Sequence, residues 1–271
     1  MTVTEPTPSF PVRQTGTVPT EVSTQCRRGA SGPVAGFASI VPVNIEAVAI
    51  YTPHTLRFAL LLTVANSFLD AHTYLVRGGV FAYLQTANVI FFAIHLCEGH
   101  LGDSLSTLWP IFAFLAGVAL ASHIKSGRVH KVLPHPLRWT MAIQAAVLAG
   151  IGFLPAVLPN SLVVVPISFL GGIQIVLFRS IGNLDYMPLA TTDNLRRVVE
   201  AGYDFFVEKD SGSRRPFTVY AAVIGTFAAG AIAGAFTTRA WGLHAIWVPA
   251  GVLAVTLILF VIDHREDTAL K

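Results

Sequence analysis

The chain has 271 residues, of which 53% are hydrophobic and only 12% charged, with a formal net charge of +3. A soluble domain carries about 25% charged residues, so there is too little charge here to coat a water-facing surface; the mean hydropathy of +0.62 agrees. These values exclude an ordinary soluble domain and point to an integral membrane protein. The basic excess (pI ≈ 9.0) is then read as Lys and Arg in cytoplasmic loops, and no nucleic-acid partner is expected.

Residues 1–55 are rich in Pro, Thr, Ser and Val and read as a disordered tail. No basic start leads straight into an apolar stretch, so no cleavable signal peptide is expected. Residues 56–265 read as a single transmembrane helical domain. Its apolar segments cover about 57–76, 80–98, 105–122, 138–158, 161–181, 217–238 and 242–262, each near the ~20 residues that span a bilayer. The expected fold is all-α, a polytopic bundle of six or seven spans.

The first span carries an acid, Asp70, near its middle. At the helical period, Thr63, Asn66, Ser67, Asp70, Thr73, Tyr74 and Arg77 fall within an arc of roughly 120°, while His72 points the other way. A membrane helix with such a stripe turns it toward a partner helix or a water-filled cavity. An intramembrane acid there is a functional candidate. The structural alternative is that Asp70 pairs with Arg77 or caps a neighbouring broken helix.

On the second segment, Thr86, Asn88 and His95 offer hydrogen-bonding groups for a solute or for other helices. The loop 123–138 holds Lys125, Arg128, Lys131 and Arg138 and no acid, so it is expected on the cytoplasmic side. Its histidines add positive charge rather than bind metal. Gln174 is a lone amide in an apolar run, placed after Gly171–Gly172 where backbones approach closely.

Residues 182–215 form a charged, amphipathic cytoplasmic segment. Within it, 190–209 hold Asp193, Arg196, Arg197, Glu200 and Asp204. At about 2.5–3.5 kcal/mol each in a lipid-facing helix, these charges forbid a crossing. If 80–98 crosses, the chain has seven spans and an outside N-terminus. If 80–98 is re-entrant, there are six spans and an inside N-terminus, which Arg27, Arg28 and Arg57 favour.

An internal repeat is visible. "QTAN" at 85–88 recurs as "TTDN" at 191–194, so that Thr86 and Asn88 return as Thr192 and Asn194, 106 residues on. Each copy follows an apolar helix and a Gly-containing turn. Each is followed by a small-residue helix, then by one opening with Trp. Two repeats, about 57–158 and 161–262, follow from this order, each with three crossings if the Thr-x-Asn segments do not span. An odd count forces the halves to be inverted.

Asp70–Ala71, "GGVF" 78–81 and "TAN" 86–88, with "GIQIV" 172–176 and "TDN" 192–194, resemble the signatures of the YoaK-like family of bacterial multi-pass membrane proteins of unknown function. The resemblance covers about residues 57–262. Ala87 and Asp193 stand where the family has glycine, and Ile175 where it has asparagine. It implies a multi-pass protein of the bacterial inner membrane and supplies no substrate.

Enzyme signatures are absent: no HExxH, GxSxG, Walker-type loop or GxGxxG after a strand. No enzyme activity, cofactor or metal is expected. The leading expectation is a small-molecule transporter or permease-like protein. Its candidate solute-binding residues are Asn66, Asp70, Tyr74, Thr86, Asn88, Gln174, Thr192 and Asn194, and its partners are membrane lipids and a small solute. The rival is a non-transporting scaffold or sensor in which the polar stripe joins helices and 182–215 meets a cytoplasmic partner.

Overall fold

Helix α1 (Leu56–Val76) opens the fold, its first turn capped by the Thr55 hydroxyl, which accepts from Phe58 N. The computed structural model describes residues 55–125, 136–155, 157–189 and 191–269, without the side chains of Pro136 and 263–269. The tail (1–54) and the middle of the basic loop (126–135) therefore lie outside the described residues.

After α1 come α2 (Gln85–Cys97), α3 (Leu101–Lys125), α4 (Pro136–Ile151) and α5 (Asn160–Leu177). A two-residue antiparallel hairpin follows, β1 (Ser180–Ile181) on β2 (Leu184–Asp185), turned by Gly182 at φ +58. Then come α6 (Thr192–Phe206), α7 (Arg214–Trp241) and α8 (Trp247–Ala269). The described chain is all-helical apart from that hairpin.

Four helical runs are long and apolar enough to cross a bilayer: α1, α3, α5 and the run Ser211–Ile262. The last holds both α7 and α8, separated by Gly242 at φ +57 and the 3-10 turn Gly242–Ile246. α2 and α4 are apolar but shorter, and α6 is neither long nor apolar enough to cross. Several long apolar helices make this chain compatible with a membrane protein, and its outer faces fit lipid: Ile90, Phe112, Leu115, Phe236 and Ile258 are all exposed.

Three element boundaries differ from the sequence expectation. Residues 80–84, apolar enough to read as helix, are not helical: Gly78 and Gly79, at φ +76 and +72, turn the chain back after α1. α4 ends at Ile151 rather than 158, where Gly152 opens a turn and Pro155 bars continuation. α5 ends at Leu177, and the residues that continued its apolar run enter β1 instead.

The packing partners follow a regular order. α3 packs along α5, and α7 along α1; α2 lies on α3, and α6 on α7; α4 touches α5 and α8, and α8 touches α1. Both long contacts rest on glycine. A Cβ on Gly117 would strike the Phe169 carbonyl oxygen, and one on Gly172 the Phe114 carbonyl oxygen, so α3 and α5 meet backbone to backbone. On the other side Gly230 and Gly234 of α7 lie against Val64 and Phe68 of α1. In a bilayer, where no hydrophobic force acts between helices, such close approach would supply the attraction.

The main core joins α1, α4, α5, α8 and the 80–83 segment through Leu62, Leu69, Tyr83, Leu148, Ile167 and Leu253. Because α1 meets α7 on one side and α8 on another, it is buried nearly all round. His72, which points away from the stripe, therefore meets α7 rather than an open face. It is buried, with Nδ1 3.0 Å from the Thr238 hydroxyl of α7.

Candidate functional site

The polar stripe of α1 turns inward. Thr63, Asn66, Ser67, Asp70, Thr73 and Arg77 are all buried. Three of its hydroxyls bond within the helix: Thr63 to Ala59 O, Ser67 to Thr63 O and Thr73 to Asp70 O. Such back-bonding hides a hydroxyl in an apolar setting at little cost. Tyr74 is the exception, a residue 42% exposed whose ring stacks on Phe81 at 4.9 Å.

Asp70 holds the non-helical segment that leads into α2. Its Oδ1 accepts from Tyr83 N at 2.8 Å, and the N–H groups of Leu84 and Ala82 also face the carboxylate. One turn on, the Thr73 hydroxyl accepts from Ala82 N at 3.2 Å. A carboxylate before the first turn of α2 also meets the positive end of that helix's dipole. Asp70 makes no ion pair with Arg77. The Arg77 side chain is 2% exposed and its Nε has no partner among the described residues.

Asn88 closes the same segment from the other end. Its Oδ1 accepts from Phe81 N at 3.0 Å and its Nδ2 donates to Phe81 O at 2.7 Å. Asn194 does the same 106 residues later: Oδ1 accepts from Met187 N at 3.2 Å, and Nδ2 donates to Met187 O at 2.9 Å. One amide thus satisfies both main-chain groups of a residue seven positions back, which a short non-helical segment inside apolar surroundings requires. Thr86 and Thr192, the other members of each Thr-x-Asn, are both exposed.

The two segments are also tied across the molecule. Ser168 of α5 donates to Ala82 O at 2.6 Å, and Asn66 of α1 donates to Pro188 O at 3.3 Å. Ala82 and Pro188 are again 106 residues apart. Each long helix therefore grips the broken segment of the opposite half.

Gln174 joins this network through a residue the sequence reading missed. Gln144 of α4 donates from Nε2 to the Tyr83 hydroxyl at 2.7 Å and to Gln174 Oε1 at 3.3 Å. The Tyr83 ring lies on α5 where Gly171 has no side chain; a Cβ there would strike the ring. Gln144 is the one amide in α4, the same signal that marked Gln174 in α5. Both glutamines are fully buried, and Gln144 Oε1 and Gln174 Nε2 have no partner among the described residues. Whichever way the two amides are turned, one donor and one acceptor remain for another group. Asn66 Oδ1 and the Tyr186 hydroxyl are likewise buried and unpartnered.

The site thus brings together Asp70, Asn88 and Gln174 around residues 80–84. Asn66 and Asn194 sit around 186–189, and Tyr74, Thr86 and Thr192 stand outside. The family described as "Protein of unknown function (DUF1275)" matches residues 58–259, nearly the whole helical domain. The chain belongs to that family. No curated protein and no solved structure matches it. The family match begins within α1 and ends within α8, so it takes in both non-helical segments and every residue that holds them.

The shared clamp makes a direct prediction. Asn88→Ala removes partners from both Phe81 main-chain groups and is expected to lower stability by about 2–3 kcal/mol. Asn194→Ala is expected to do the same at Met187. Thermal or denaturant unfolding of the detergent-purified variants checks this. A large loss at one site with none at the other would contradict equivalent roles.

Proposed function

We propose that this protein is a small-solute transporter of the bacterial inner membrane, built from two inverted three-span repeats with its solute site between the broken segments 80–84 and 186–189. The observation that carries the reading is the pair of segments itself. Each is held by the same asparagine clamp, and each is gripped by a polar side chain from the other half. Irregular backbone at membrane depth is tolerated where it is buried in protein or lines a cavity, and paired broken segments at a repeat interface are where transporters bind solute.

The packing order supports the duplication. Exchanging α1–α4 with α5–α8 maps each contact onto another: α1 on α7 onto α5 on α3, and α2 on α3 onto α6 on α7. The direction of α2 supports three crossings per repeat. α2 starts beside Asp70, yet the Phe91 ring, two turns in, lies 6.2 Å from Tyr74, one turn beyond Asp70 toward the end of α1. α2 therefore runs back toward the side at which α1 ends, and α1, α3 and α4 make the crossings.

With Lys125 and Arg138 on the cytoplasmic side, α6 lies on that side and α2 on the outer one. The faces of α6 fit such a position. Leu195, Val199, Tyr203 and Phe206 form an exposed apolar stripe. Asp193 pairs with Arg196 and Arg197 on the charged face, and these hydrogen bonds hold the Asp193 carboxyl below its usual range. This division fits a helix lying at a membrane surface. The YoaK-like resemblance agrees with a bacterial multi-pass protein.

The unpartnered groups suggest what is carried. Gln144 and Gln174 offer a buried donor and acceptor, and Arg77 a buried side chain whose Nε is unpartnered and which has no ion pair among the described residues. A solute with an anionic group and hydrogen-bonding atoms would complete them. The test is uptake of the solute a growth screen identifies. Gln174→Leu is expected to reduce uptake at least about tenfold, with unfolding unchanged or slightly raised, because the change removes a buried amide nitrogen without a partner while Gln144 Nε2 keeps the Tyr83 hydroxyl. Full uptake by Gln174→Leu would remove the glutamine pair from the site. A chain that moves no screened solute would favour the scaffold reading, in which the same network only joins helices.

A further inference from the structure

The turn between α2 and α3 carries His95, Glu98 and His100, whose ligand-capable atoms all lie within 4.8 Å of one another. Glu98 Oε2 stands 3.8 Å from His95 Nδ1 and 3.5 Å from His100 Nδ1. A tetrahedral zinc ion, with bonds of 2.0–2.2 Å to nitrogen and carboxylate oxygen, holds neighbouring donors roughly 3.4 Å apart. The spacing thus needs only small side-chain movements to close on such an ion. From this geometry we infer that the α2–α3 turn is a binding site for a divalent transition-metal cation of the zinc type, held by two imidazoles and one carboxylate. The inference does not depend on whether the protein transports a solute.

The backbone fixes the three ligands in advance. Gly99, at φ +76, ends α2 in a left-handed turn, with Gly99 N donating to Leu96 O at 3.2 Å and His100 N to His95 O at 2.9 Å. These are the two hydrogen bonds of a Schellman motif. The second joins two of the ligating residues directly, and Glu98 lies between them. α3 starts at once, with Ser104 N donating to His100 O at 3.0 Å. A triad on a hairpin of two helices is ordered before a metal arrives, which lowers the entropy lost on binding.

The state of His95 is the second observation. Its Nδ1 is withdrawn from solvent and has no hydrogen-bond partner among the described residues, although the residue is half-buried. A ring nitrogen facing a carboxylate just beyond hydrogen-bonding distance suits a shared cation better than a direct contact. The C-terminal carbonyls of α2 favour positive charge here. Asp103 in the first turn of α3 counters the opposite dipole of that helix. Two imidazoles and a carboxylate leave a position open to water, as in sites with three protein ligands. The cation class follows from the nitrogen donors, since magnesium and calcium prefer oxygen.

The experiment is isothermal titration of zinc chloride into the full-length protein, purified in detergent with a histidine-free tag. Cys26→Ser and Cys97→Ser are present throughout, so that no thiol contributes. One zinc ion per chain in the micromolar range or tighter is expected. His95→Ala, His100→Ala and Glu98→Gln should each weaken binding at least about tenfold, whereas His244→Ala, an exposed histidine elsewhere, should leave it unchanged. Zinc-free unfolding midpoints verify that each variant is folded. The inference is overturned if the parent protein binds no zinc, or if the three variants bind as the parent does.

Discussion

Asp70→Ala is expected to lower the unfolding free energy by about 3 kcal/mol, and Asp70→Asn by no more than about 1 kcal/mol. The carboxylate accepts from Tyr83 N at 2.8 Å and faces two further main-chain N–H groups. Alanine leaves those donors buried without an acceptor. Asparagine retains one oxygen for Tyr83 N and loses only the interactions of the second oxygen and the charge. The start of α2 hangs on this contact and on Asn88, so the alanine variant should also expose residues 80–84 to proteolysis. Unfolding of the two variants side by side is the check. Equal losses would mean that the charge of Asp70, rather than its place as an acceptor, is what matters.

Arg77→Met is expected to move stability the other way, raising it by about 1–3 kcal/mol while sharply reducing uptake. A buried polar group without partners is a standing cost, and a buried charge more so. The Arg77 side chain is buried with its Nε unpartnered, near His72 rather than near any acid. Methionine keeps most of the volume and removes the charge. A gain in stability at the expense of activity is what a residue kept for a ligand produces. Arg77→Lys should fall between, keeping a positive charge without the planar fork that takes two oxygens together. A loss of more than about 1 kcal/mol in Arg77→Met would mean instead that the guanidinium supports the bundle.

The sequence carried the long helices plainly, because lipid demands uninterrupted apolar runs and α1, α3, α5, α7 and α8 supply them. It also carried the two asparagines, since Thr-x-Asn recurs at a fixed distance and Asn88 and Asn194 make the same clamp. The break at 80–84 was not legible. "VFAYL" is as apolar as a helix interior, and what keeps it irregular is Asp70, thirteen residues before Tyr83. Face arguments were reliable only where a helix has one partner. α1 has two, so His72 is buried opposite the stripe, and Tyr74, at the stripe's edge, turns out beside Phe81. Gln144 was passed over because a single amide in an apolar helix gains meaning only once Tyr83 and Gln174 stand beside it.

The inverted-repeat account turns on whether one crossing or two separate the N-terminal tail from the end of α2, and the chain's own cysteines probe both points. Cys97 is exposed at the end of α2, and Cys26 belongs to the tail. Two single-cysteine chains, Cys26→Ser and Cys97→Ser, are to be treated in intact cells with a membrane-impermeant maleimide, then again after permeabilisation. With α2 re-entrant, only α1 crosses between the two cysteines. Cys97 should label in intact cells and Cys26 only after permeabilisation. Labelling of both in intact cells would mean that α2 crosses, giving the first half four spans against three in the second and removing the inversion on which the transport reading rests.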